Sequence, residues 1–161
     1  VANWGKRSGP RRAIMIHYDA STSDASGIAW LKSPECKVSY NMAVRDNGAV
    51  VTIAPEEARA YHAGVCRSSD PRLVYTDANS AFYGLAITAK AGDTVTEAQL
   101  SAVVALCRRL YKKNGWPPTE TWRITSHSRE AYPRGRKSDC EGQDPERPVL
   151  DPEVVRQRLS T

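Results

Sequence analysis

The three histidines, His17, His62 and His127, and the adjacent pair Asp139 and Cys140 are the residues of this chain whose types suit a metal ion. His127 follows a short apolar run, Trp122 to Thr125, and a loop bearing Pro133 and Gly135 then brings Lys137, Asp139 and Cys140 back near it. One imidazole with one carboxylate or thiolate is half of a zinc site. His17 is the obvious second imidazole, because it also closes a strand-like run, Ala13 to Ile16, and a rigid sheet aims side chains into a cleft from its strand ends. Two histidines plus one Asp or Cys leave the fourth position of tetrahedral zinc open, and water there loses a proton near neutral pH. Asp139 and Cys140 would point in different directions in an extended loop, so one of them ligates, and residue type alone does not choose. The plainer alternative is that Asp139 caps the loop and Cys140 is inert core.

Two further side chains have a chemical use beside such a site. Lys137 stands in the basic cluster Arg134, Arg136, Lys137, which elsewhere would be a solvated loop. Tethered beside a metal, its ammonium can stabilise the oxyanion formed when a carbonyl is attacked. Tyr40 is placed on the first strand of a hairpin, where alternation points its phenol either into the cleft or into packing.

The elements needed to hold these groups can be read in order. Val1 to Arg12 is a basic, irregular lead-in. Ala13 to Tyr18 suits a strand buried on both faces. Ser21 to Ser26 can cap a helix running to about Ser33, which Pro34 ends. Val38 to Val44 and Ala49 to Ile53 flank Asn47-Gly48, which predicts antiparallel strands joined by a tight primed turn. Ala60 to His62 is a strand stub, Val65 to Ala81 a long polar surface loop, and Phe82 to Thr88 a buried strand. Thr96 and Gln99 stand at capping-box spacing, and Leu100, Val103, Val104, Cys107, Leu110 and Tyr111 recur at helical intervals until Gly115 and two prolines. Asp151-Pro152 opens a last helix. Strands interleaved with helices, plus one hairpin, predict a single α/β domain over residues 1–161 with a central mixed β-sheet flanked by helices.

Composition narrows the function classes. With 161 residues and 40% hydrophobic content the chain can bury one core. A net charge of +5 favours an anionic partner such as a wall polymer, a membrane surface or nucleic acid. No apolar run reaches the ~18 residues of a membrane span, and no element interleaves aromatic with basic residues as a nucleic-acid binder would. The four cysteines are too scattered for a disulfide scaffold; Cys107 reads as core, and a Cys36–Cys66 pair in an oxidising compartment finds no support in spacing.

The segments IMIHYDAS, VSYNMAVRDNGAVV, AYHAG, NSAFYGLAI and HSREAYPRGRKSDC occur in the order and spacing of the type-two N-acetylmuramoyl-L-alanine amidases. The chain resembles that family, which shares its fold with peptidoglycan recognition proteins and phage amidases, over about Ala13 to Leu159. The resemblance implies a zinc ion held by His17, His127 and Asp139, with Cys140 as the alternative third ligand standing where the family usually has proline. It also implies transition-state stabilisation by Lys137 and Tyr40, and substrate contacts from His62, Ala63, Gly64 and Asn79. Two departures stand out. Tyr18 and Asp19 replace the commoner residues after the first histidine, and Ala86 occupies the position where many bacterial members carry a glutamate base. The implied activity is zinc-dependent hydrolysis of the bond between the lactyl group of N-acetylmuramic acid and L-alanine in peptidoglycan, by a monomer. The implied setting is the bacterial cell wall, reached from a host cytoplasm by a phage endolysin or by secretion of an autolysin. The rival expectation is a non-catalytic peptidoglycan-recognition module on the same fold.

Overall fold

The computed structural model describes residues 3–161; the first two residues of the expected lead-in lie outside the described residues. Two strands form the centre: β2 (Ala13–Tyr18) and β6 (Phe82–Ile87), parallel and buried along their whole length. β7 (Ile124–Ser126) adds in parallel beside β2, and β3 (Met42–Val44) in parallel beside β6. β4 (Val50–Thr52) closes the far edge antiparallel to β3, giving a five-stranded mixed sheet in the order β4-β3-β6-β2-β7. Central parallel strands are covered on both faces, which is why their sequences run apolar without alternation.

The two faces differ in side-chain size, and that difference makes room for the site. Ile14, Ile16, Tyr83, Leu85 and Ile87 pack against α3 (Glu97–Asn114) and α5 (Pro152–Leu159) in the main core. The opposite face of the same strands carries Met15 and His17 on β2 opposite Gly84 and Ala86 on β6, with Ala43 next in register on β3. Large residues on one face and small ones on the other leave space above the sheet on the histidine side. α3 itself begins as its sequence predicts, with Thr96 Oγ1 accepting from Gln99 N and Gln99 Oε1 accepting from Thr96 N, and ends at Gly115 in the left-handed region, φ 67°. α5 follows the Asp151 cap with Pro152 at its first turn. α1 spans Asp24–Leu31 after the Ser23 cap.

Several expectations are corrected. The lead-in is not irregular throughout: β1 (Trp4–Gly5) pairs antiparallel with β5 (Arg59–Ala60), which lies a residue or two before the expected 60–62 stub. Its Arg11 is buried, and its Nη atoms donate to the carbonyls of Ser80, Phe82, Glu56 and Ala58 at 2.6–3.1 Å while the guanidinium lies 4.5 Å above the Tyr83 ring. A guanidinium fork can satisfy many orphan carbonyls at once, which a count of basic residues does not reveal. The hairpin turn is not the two-residue primed type, because only Gly48 (φ 85°) of the Asn47-Gly48 pair is left-handed; Gly48 N donates back to Arg45 O and the loop is longer. Tyr40 precedes β3 instead of lying on it, since β3 starts at Met42. The Trp122–Thr125 strand begins only at Ile124, after a 3-10 turn over Thr121–Arg123. The 65–81 loop holds the short helix α2 (Ala78–Ala81) and buries Leu73. The four cysteines are free, and no helix among the described residues is long and apolar enough to cross a membrane.

Burial, with Arg7 nearby, lowers the Arg11 pKa to about 10, so the group remains charged at neutral pH. Replacing it by Arg11→Lys keeps the charge and loses the fork, stranding buried carbonyls, and should lower unfolding free energy by about 2–3 kcal/mol in a denaturant titration.

Candidate metal centre

His17 ends up on the roomy face of the sheet because its position in β2 has the opposite parity to Ile14 and Ile16. His127 is the first residue of α4 (His127–Glu130), not the last of a strand; Ser126 caps that turn by accepting from Arg129 N. The returning loop is fixed to it by Ser128 N donating to Asp139 O at 2.6 Å. The result gathers one nitrogen each from His17 and His127 and an Asp139 carboxylate oxygen within 4.8 Å of one another. His17 Nδ1 is 2.8 Å and His127 Nδ1 3.3 Å from the Asp139 carboxylate. Tetrahedral donors about 2.1 Å from zinc stand roughly 3.4 Å apart, so the spacing and the donor types fit that ion.

The far sides of both rings are tied to one short segment. His127 Nε2 lies 2.8 Å from Ala63 O, which can only accept, so Nε2 carries a proton and Nδ1 is the atom that faces the cluster. His17 Nε2 lies 2.9 Å from His62 Nδ1, an acceptor available whenever His17 presents its own Nδ1 lone pair to an ion. Asn79 Oδ1 clamps this segment by accepting from His62 N and Ala63 N at 3.0 and 2.9 Å. Arg136 Nη2 adds a second donor to Ala63 O at 3.0 Å, beside Gly64 at φ 62°. His62 fits only because residue 84 is glycine: a Cβ there would lie 2.6 Å from its ring.

Of the residues singled out from sequence, His17, His127 and Asp139 are therefore brought together, and Cys140 is not. Its thiol is buried on the main-core side, donating to Leu150 O at 3.3 Å, so the chain direction that turns Asp139 towards the imidazoles turns Cys140 away. Burial pushes that thiol well above its ordinary pKa, and the nearby carboxylates of Glu141 and Asp139 add to this. His62, Ala63, Gly64 and Asn79 do line the cleft beside the cluster. Their hydrogen bonds nonetheless run mainly to the two imidazoles and to each other. Tyr40 also lines the cleft, its ring centroid 4.9 Å from that of His17, packed with Ala86 and Ala43. Burial, reinforced by Asp139, raises its pKa far enough that the phenol stays protonated and acts as a donor, not a base. Lys137 is exposed on the rim, with no hydrogen-bond partner among the described residues. The whole cleft has a volume of about 560 Å³.

Sequence reading missed Glu130. Fully buried, it accepts from Thr125 Oγ1 at 2.8 Å, Tyr75 O–H and Ser69 N at 3.1 Å, and Ser69 Oγ, fastening the 65–81 loop to the turn that carries His127. Its spacing of three from His127 is the one signal available, and it is shared by many unremarked helix pairs.

The model of the family described as N-acetylmuramoyl-L-alanine amidase matches residues 7–144. No curated protein sequence matches the chain. Among solved structures, a selenomethionine AmpD derivative superposes with a TM-score of 0.77 at 20% identity, covering 99% of this chain and 91% of that one. The N-acetylmuramyl-L-alanine amidase AmiD from E. coli, in complex with anhydro-N-acetylmuramic acid-L-Ala-D-γ-Glu-L-Lys, gives 0.69 at 20% identity, with 94% of this chain and 59% of that one covered. The N-acetylmuramoyl-L-alanine amidase LysC from Clostridium intestinale gives 0.60 at 19% identity, covering 92% and 85%. At such identities the likeness concerns the fold, an α/β arrangement with a mixed sheet flanked by helices.

The titration of the cluster has a measurable sign. Burial lowers the His17 pKa below 6.5 despite the Asp139 hydrogen bond, and burial with the charges of His17, His127 and Arg11 drives His62 much further down. Burial raises the Asp139 carboxyl, but the hydrogen bonds from His127 and His17 outweigh it and hold the group below its ordinary value. In the window just under pH 6.5 the unfolded chain therefore binds more protons than the folded one. The stability of chelator-treated protein should be full above that pH and fall as pH drops towards 5, with Asp139 adding the same sign only below about pH 4. Urea midpoints at pH 7.5, 6.5 and 5.5 test this, and a midpoint that rises on acidification contradicts it.

Proposed function

The chain belongs to the N-acetylmuramoyl-L-alanine amidase family, and from that premise we propose that it is a zinc-dependent hydrolase of peptidoglycan that cuts between the N-acetylmuramic acid lactyl group and L-alanine. The observation that carries the zinc assignment is the convergence of His17, His127 and Asp139 within 4.8 Å at the wall of an open cleft. Zinc bound there would supply carbonyl polarisation and a water made acidic enough to attack at neutral pH. The three donors offer neutral nitrogen lone pairs and one carboxylate, and the ring contacts to His62 and Ala63 keep the imidazoles from turning.

Lys137 and Tyr40 have complementary parts beside the scissile carbonyl. Lys137, unpartnered on the rim, can swing to the developing oxyanion, and Tyr40, kept protonated, can donate a second hydrogen bond. Ala86 lies beside His17 in register and is enclosed by Tyr40, so a carboxylate base is missing from that place and the phenol fills the space. The cationic rim formed by Arg136 and Lys137 suits an anionic stem peptide, since a γ-linked glutamate keeps a free α-carboxylate. The substrate is peptidoglycan, acted on at the cell wall as in a phage endolysin or autolysin, by a monomer.

Three measurements decide this. Purified wall should yield free L-alanine amino termini without new reducing ends, and Lys137→Ala should keep its zinc while losing turnover by about 10²–10³-fold. Unchanged turnover in that variant removes Lys137 from the chemistry. Metal analysis of Asp139→Ala beside Cys140→Ser should show zinc lost only in the first; loss in the second would return the third ligand to the thiol.

A further inference from the structure

The cleft continues past the metal centre onto α1. Asp19 and Ala20, which line the cleft, also line a second open depression of about 380 Å³ whose other wall is the face of α1 bearing Ser26, Gly27 and Trp30. Trp30 is 52% exposed there, an unusual placement for the largest apolar side chain in a chain with four tryptophans. Ser26 and Gly27 both neighbour Trp30 on the helix surface, standing four and three residues before it. Gly27 is required inside the helix because a Cβ would fall 2.3 Å from Asp19 Oδ2 and 2.6 Å from Ser21 Oγ. Its absence lets α1 sit directly on the turn that follows His17. Ala20 in that turn adopts φ 61°, the one left-handed non-glycine among the described residues, so the junction between the two depressions is held in a costly conformation.

The chemistry of this extension differs from that of the cleft. No lysine or arginine lines it, in contrast to the Arg136 and Lys137 rim. Its polar groups are hydroxyls and the Asp19 carboxylate: Ser21 Oγ donates to Asp19 Oδ1 at 2.6 Å and Ser26 Oγ to Ser23 O at 3.1 Å, while Ser26 Oγ also accepts from Ser23 Oγ at 2.7 Å, so each of the two hydroxyls keeps a lone pair to accept from a ligand. An exposed indole face beside hydroxyl and carboxylate acceptors, with no cation among them, recognises a pyranose ring, whose C–H face is apolar and whose edge carries O–H and N–H donors. An anionic peptide would find no counter-charge there.

Resting on the amidase reading, we infer that Trp30 and the 19–26 turn form a glycan subsite that binds an N-acetylated sugar of the strand next to the muramic acid being cleaved, so that the strand lies along α1 and the peptide along the cationic rim. The subsite binds the polymer equally in ground and transition states, so its loss raises KM and leaves kcat.

The test titrates tri-N-acetylchitotriose into the protein while following the indole N–H signals by NMR. The Trp30 signal should move, and binding of the same sugar measured by calorimetric titration should vanish in Trp30→Ala and persist, weakened, in Trp30→Phe. In parallel, Trp30→Ala should raise KM on glycan strands about tenfold with kcat unchanged, and change hydrolysis of a single-sugar muramoyl peptide by less than about twofold. An unmoved Trp30 signal, or equal losses on both substrates, overturns the subsite. Sugar binding at Trp30 by a protein that cleaves no wall upholds the subsite and sinks the amidase reading instead.

Discussion

Both imidazoles of the cluster are held from behind by the dipeptide His62-Ala63, and the geometry of the site depends on that restraint. A histidine on a strand end or a helical turn has two free torsions and two nitrogens, so its position alone leaves the presented atom undecided. Here Ala63 O settles His127, and His62 Nδ1 stands ready to accept from His17. The dipeptide is itself held by Asn79, and Asn79 by a short helix at the end of a loop pinned through Glu130. Groups drawn from residues 17, 62, 63, 79 and 127 thus form one chain of hydrogen bonds, with Glu130 anchoring the loop from which Asn79 comes. In a low-dielectric setting such a network rigidifies when complete and becomes a liability when one member is removed.

Gathering a carboxylate and three imidazoles under the surface opposes folding in the absence of positive charge. Burial works against the ionised Asp139 and against protonation of His17 and His62. The arrangement persists because the central strands beneath are apolar on their other face and because the small residues Gly84, Ala86 and Ala43 let the rings enter without displacing strands. A binding site for a cation is a local loss of stability that the remaining core offsets. A divalent ion would reverse the sign locally, converting mutual desolvation into coordination.

How much of this was legible in the sequence follows from which signals are local. The β2 and β6 runs, the Thr96 capping box, the Gly115 stop and the Asp151-Pro152 start are written in neighbouring residues, and the elements follow them closely. The pairing of His17 with His127 and Asp139 was legible as chemistry, since strand ends and a returning loop restrict where such groups can meet. Three things were not legible. Cys140 against Asp139 depends on which way successive side chains of one loop face, which only the docking of residues 149–150 settles through Cys140 O and Sγ. Arg11 looked like surface charge because carbonyls that need a donor come from distant turns. His62 does line the cleft, but its contact with His17, 45 positions away, is not written in neighbouring residues.

The distribution of charge completes the argument about direction. Many of the chain's cations are spent on neighbours: Arg7 on Glu57, Arg45 on Asp24, Arg59 on Asp77, Arg109 and Lys113 on Glu56, and Arg129 on Glu141, Asp151 and Glu153. Arg136 and Lys137 have no carboxylate partner among the described residues, so, although Asp19 and Asp139 also line the cleft, its positive charge is gathered on the 134–137 loop. Their field reaches about a Debye length, ~8–10 Å in ordinary salt, and fades beyond it. A ligand with an anionic arm and a neutral arm is therefore oriented before it makes any close contact, the anionic arm towards the 134–137 loop and the neutral one towards α1. Orientation by field costs no side-chain ordering, whereas stacking on the half-exposed Trp30 orders a ring with only two side-chain torsions. The two effects act at different ranges, the first on approach and the second on residence, and they favour the same direction for the strand.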